Sequence, residues 1–116
     1  MDEWLLVFYT TANGRSPVQE YLDSLDSQEA RKVSNDLDKL RTFGLTLGAP
    51  YIKNIKGKLW ELRTTGQRRH RVLYFAFTGR RFVLLHAFTK KTSKTPQHEI
   101  DTALRRMVDY QERENR

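Results

Sequence analysis

Residues 58–96, KLWELRTTGQRRHRVLYFAFTGRRFVLLHAFTKKTSKTP, decide how this chain is read. From Leu59 the alternation of a β-strand is clear: Trp60, Leu62 and Thr64 point one way, and Leu59, Glu61 and Arg63 the other. Gly66 marks a turn, and a second strand is predicted from about Arg69 to Phe77. Thr78, Gly79 and Arg80 make a hairpin turn into a third strand, Phe82–Phe88. The middle strand contains VLYFAF, apolar on both faces, as suits a strand with neighbours and coverage on each side. Strands that follow one another through tight turns are predicted to pair as an antiparallel meander.

Working outward, Tyr51–Gly57 carries Ile52 and Ile55 among Lys53 and Lys56 without a regular period, and no element is assigned there. Gly44–Pro50 is read as a loop. Ahead of it, Ala30, Val33, Leu37 and Leu40 line one face of a helix capped by Ser27 and closed by Gly44, with Arg31, Lys32, Asp36, Asp38 and Lys39 facing water. An earlier helix opens at Ser16 as N-cap, with Pro17 at its first position and Gln19 completing a capping box. Its stripe is Val18, Tyr21, Leu22 and Leu25, and it ends near Asp26. Trp4–Tyr9 reads as an N-terminal strand. Thr95-Pro96 repeats the cap-plus-proline signal before a closing helix with Ile100, Ala103, Leu104, Met107 and Val108 on one side; Glu112–Arg116 is expected to fray. The result is an α+β domain spanning 1–116 with the order β-α-α-β-β-β-α and a helical hairpin packed over one face of the sheet.

Charge sharpens this picture. Residues 51–94 hold twelve Lys/Arg against one acid, Glu61, whereas residues 1–50 carry −3 and residues 95–116 carry −1, within a net +7. A locally basic sheet in a mildly acidic frame is the footprint of a polyanion site. The chain has no cysteine, which excludes disulfides, thiolate chemistry and cysteine zinc sites. No apolar run approaches the roughly 20 residues of a membrane span. The opening MDEWLLVFYT lacks the basic start and small-residue cleavage site of a signal peptide, so the expected location is the cytoplasm.

In the simplest register of the hairpin around Gly66, Arg63 and Arg71 fall opposite each other on one face, with Glu61 two residues along. Like charges placed so cost about 0.2–1 kcal/mol. An anion between two guanidiniums would offset that cost, because each fork can hold a phosphate bidentately. Cutting RNA this way needs neither metal nor cofactor. The ribose 2′-OH attacks its own phosphate once a base takes its proton, and Arg or Lys stabilises the developing charge. Glu61, His86, or a lysine with a depressed pKa could move the proton. His70, among arginines, is read as part of the polyanion surface and His98 as structural; no two histidines have metal-ligand spacing. Lys90, Lys91 and Lys94, interleaved with hydroxyls before a helix N-terminus, form a candidate anion cradle. Lys58, Arg68 and Arg69 add positive charge at the strand ends. Tyr51, Tyr74 and Phe88 are either base-stacking platforms or core.

The runs LWELR, RHRVLYF and VLLHAFTKKTSKTPQHEID, with SPVQEYLDSL ahead of them, resemble the HigB-like branch of the RelE/ParE toxin superfamily, including its phage-encoded relatives. The resemblance implies a RelE-type fold with a curved antiparallel sheet. It also implies an mRNA endonuclease acting on ribosome-bound message and neutralised by a HigA-like helix-turn-helix antitoxin. By position it places the site on Arg63, Arg71 and Lys90, with Glu61, His86 and Lys91 as further candidates; Phe88 stands where some relatives have tyrosine. Two other readings use the same basic sheet: a non-catalytic nucleic-acid-binding regulator, and a gyrase-directed, ParE-like toxin.

Overall fold

Apolar residues on both faces of the central strands require cover on both sides, and the computed structural model, which describes residues 3–64 and 69–115, supplies it. The elements are β1 (Leu5–Phe8), α1 (Pro17–Ser24), α2 (Ser27–Phe43), β2 (Ile52–Lys56), β3 (Leu59–Arg63), β4 (His70–Phe77), β5 (Arg81–Thr89) and α3 (Gln97–Glu114). The sheet order is β1-β5-β4-β3-β2. The α+β class and the meander stand, since β2 to β5 pair antiparallel in sequence order. Two details differ. The sheet is mixed, because β1 lies parallel to β5; no hairpin turn joins these two strands, so none imposes an antiparallel direction. Residues 52–56 also form a fifth strand, whose period is broken by an irregularity between Asn54 and Lys56.

Helices α1 and α2 bury Val18, Leu22, Val33, Leu37 and Leu40 against Leu62, Val72, Tyr74, Phe82 and Leu84 on one face of the sheet. Helix α3 covers the other face, packing Ile100, Ala103, Leu104 and Met107 on Leu59, Leu73, Phe75, Val83, Leu85 and Phe88. Tyr74 and Phe88 thus belong to the core. Gly44 ends α2 at a φ of +57°, and a Cβ there would meet Trp4 Nε1 at 2.6 Å, so both backbone and space call for glycine.

Local competition overrides several expected caps. Ser16 precedes α1 as foreseen, but its buried Oγ makes no hydrogen bond among the described residues, and Gln19 donates instead to Asp23, one turn on. Helix α2 is capped by Asp26, which accepts from the Glu29 N–H at 2.8 Å; Ser27 is its first helical residue. Pro96 rather than Thr95 caps α3, and that helix continues to Glu114, with Arg113 paired to Asp109 at 2.8 Å. Asp36 does not face water. It is buried with Lys39 at 3.6 Å, and burial raises its carboxyl pKa.

One irregularity orients the end of β5. Leu73 pairs with His86 but Tyr74 pairs with Leu84, so β5 carries an extra residue at Leu85–His86. Leu84 and Ala87 contribute to the α1/α2 core, Leu85 and Phe88 to the α3 core. Strict alternation would have placed Ala87 on the α3 side and Phe88 on the other; the extra residue exchanges them, and Thr89 and Lys90 follow.

Candidate functional site

The expected arginine pair is present: Arg63 and Arg71 are register partners across β3 and β4. Glu61 lies along the same face, fully buried, with Oε1 3.2 Å from Arg63 Nε and 3.7 Å from Arg71 Nε. Its other oxygen accepts from Thr95 Oγ1 at 2.5 Å. This explains the missing helix cap, because the Thr95 hydroxyl is turned into the sheet. Lys53, the register partner of Glu61 on β2, and Lys90, leaving β5, complete the group.

Four cations therefore surround one carboxylate. Arg71 is 7% exposed and Lys90 9%. Burial pushes the Arg71 guanidinium below its usual range; Glu61 opposes this, while Arg63 and Arg69 add to it. The Lys90 ammonium is likewise lowered by burial, against the pull of Glu61 and with help from Arg71, Arg63 and Lys53. Buried charges are tolerated where they are paired, and removing a partner from such a pair costs about 3–5 kcal/mol. Here the pairing is incomplete. Arg71 Nη1 donates to the His70 carbonyl at 3.0 Å, but its buried Nε has no hydrogen-bond partner among the described residues. A buried guanidinium donor kept unsatisfied beside excess positive charge has the chemistry to accept an anion.

The other predicted residues are placed differently. His86 is not among the partners of Glu61; α3 holds it, with Nε2 2.7 Å from Glu99 and Nδ1 accepting from Arg106 at 3.0 Å. That assigns the neutral form with the proton on Nε2. Lys91 lines a separate cavity of about 590 Å³ that also borders His86 and Phe88, whereas Lys94 lines a groove beside Lys90. Lys58 and Arg69 are exposed; the Arg69 carbonyl accepts from the Lys90 N–H at 2.7 Å. Arg68 lies outside the described residues. His70 is not on the polyanion surface. It is 1% exposed on the opposite face, with Tyr21 Oη 2.5 Å from Nδ1 and Glu29 3.2 Å from Nε2. His98 is exposed.

Burial lowers the His86 pKa, with Arg106 and His98 adding and Glu99 opposing. The unfolded chain therefore takes up a proton there at a higher pH than the folded one. The stability this contributes is complete above the unfolded value near 6.5 and is lost as pH falls from there towards the lower folded value. Urea midpoints at pH 7.5 and pH 5 should show a smaller acid loss for His86→Gln than for the unsubstituted protein. An equal loss in both would refute the assignment.

Comparison with known proteins meets this geometry from another direction. Residues 20–108 match the family described as phage-derived protein Gp49-like. The chain belongs to the Gp49-like family. The Gp49-like chain is also 34% identical over 100 residues to proteins named probable endoribonuclease HigB1 from two strains of Mycobacterium tuberculosis, CDC 1551 / Oshkosh and H37Rv; the match covers 85% of this chain and 78% of each relative. The HigB-like resemblance seen in the sequence is borne out. Two members of this cluster had no clear sequence signal: Lys53 sits in the strand with the broken period, and Thr95 looked like a cap.

Proposed function

We propose that the chain is the toxin of a toxin–antitoxin pair, a metal-independent endoribonuclease of the cytoplasm that cleaves mRNA on the ribosome and is neutralised by a HigA-like helix-turn-helix antitoxin. The observation that carries this reading is the orphaned Arg71 Nε within four cations around one carboxylate. Relatives named as probable endoribonucleases support it. No helix among the described residues is long and apolar enough to cross a membrane.

In this reading Arg63 and Arg71 grip the non-bridging oxygens of the scissile phosphate. The ribose 2′-oxygen forms a bond to phosphorus, the bond from phosphorus to the 5′-oxygen breaks, and the guanidiniums stabilise the charge of the phosphorane between those events. The attacking hydroxyl must lose a proton and the leaving oxygen must gain one. Lys90 is the group in the cluster whose lowered pKa suits it to such a transfer. Glu61 is bonded on both oxygens and holds the arginines in place. Lys91 and the exposed Lys58 and Arg69 add attraction along the RNA, and Arg68, outside the described residues, adds its charge to the same stretch of sequence.

Expression of the chain, followed by primer extension on cellular mRNA, is expected to reveal cleavage within translated codons, and purified protein with mRNA-programmed ribosomes should yield 2′,3′-cyclic phosphate ends, the product of 2′-OH attack. Growth arrest with DNA damage and intact mRNA would overturn this in favour of a gyrase-directed toxin. Absence of both effects would favour a binding module.

A further inference from the structure

We propose that the groove between β2 and the 93–95 loop seats a second RNA phosphate, the one adjoining the phosphate gripped by Arg63 and Arg71. This rests on the reading above and extends its site. The groove has a volume of about 260 Å³ and is lined by Lys53, Lys90, Ser93, Lys94 and Thr95 over a floor that includes Ile55 and Ile100. No carboxylate lines it among the described residues. Lys90 belongs to both the groove and the arginine cluster, so the two seats adjoin.

Charge balance points the same way. Among the described residues, Lys53, Arg63, Arg71 and Lys90 face Glu61 alone, and Lys94 adds to them. A phosphodiester carries one negative charge, so a single phosphate would leave most of this field uncompensated. The cation types also divide sensibly. The arginines present planar forks that fix orientation, as a reacting phosphate needs, whereas Lys53 and Lys94 are point charges that hold a non-reacting phosphate without orienting it. The occupant is thus a single strand with at least two consecutive phosphodiesters, the smallest being a trinucleotide.

The test is a binding scan on a short, uncleavable 2′-O-methyl RNA in which one linkage at a time is replaced by an uncharged methylphosphonate. The unsubstituted protein is expected to show two adjacent sensitive linkages, each weakening binding by roughly threefold to tenfold, with a salt slope reduced by about one. In Lys53→Gln/Lys94→Gln one of the two should become insensitive while the other persists. Two sensitive linkages in both proteins, or only one in the unsubstituted protein, overturn the proposal, as does no sensitive linkage in either. Because the scan reads binding, it stands apart from the cleavage assay, and ribonuclease activity with a failed scan would remove the second seat alone.

Discussion

Arg71→Ala is expected to abolish growth inhibition and to lower RNA cleavage by about 10²–10³-fold, the usual consequence of deleting a donor aimed at developing charge. Arg71 is the central member of the cluster: it faces Arg63 across the strand pair, reaches towards Glu61 and keeps Nε unsatisfied. The substitution should leave the fold in place. It removes a buried cation that is incompletely paired, and Glu61 keeps its hydrogen bonds from Arg63 and Thr95. A soluble Arg71→Ala protein that still arrests growth would remove Arg71 from the site. Arg71→Lys separates charge from geometry, since it keeps the first and loses the fork, and it should recover only a small part of the activity.

The second large effect is on stability. Glu61→Gln keeps size and a hydrogen-bond acceptor for Thr95 but removes the carboxylate that lies among Lys53, Arg63, Arg71 and Lys90. Uncovering buried charge in this way costs about 3–5 kcal/mol, or roughly 10–20 °C in Tm for a domain of this size. Sulfate should restore part of the loss by binding the uncompensated cations at Arg63, Arg71 and Lys90, because a ligand that binds only the folded state stabilises it. Thermal melts of both proteins with and without sulfate check this. An unchanged Tm in Glu61→Gln would mean that Glu61 does not neutralise the cluster.

Much of this arrangement was legible in the sequence, for identifiable reasons. The alternation in LWELR, with a short connection to the next strand, set the Arg63–Arg71 register, and apolar stripes located three helices. His70 could have been placed as well: it neighbours Arg71 in the same strand, so its side chain must take the opposite face. Thr95 could not, because a hydroxyl before a proline reads as a cap, and its partner Glu61 is distant in sequence. Strand β2 was hidden by its own irregularity. The extra residue in β5 was hidden for a different reason. Both faces of that strand are apolar, so a shift of one position leaves the hydrophobic pattern unchanged.

That extra residue makes the site depend on counting. With Leu85 and His86 both spent between Leu84 and Ala87, Thr89 meets Tyr21 on the α1 side and Lys90 meets the arginines on the other. Shorten the strand by one residue and these two positions trade sides, delivering a hydroxyl to the cation cluster and an ammonium to the helical hairpin. Every residue of the site would still be encoded, yet its constellation would no longer be assembled.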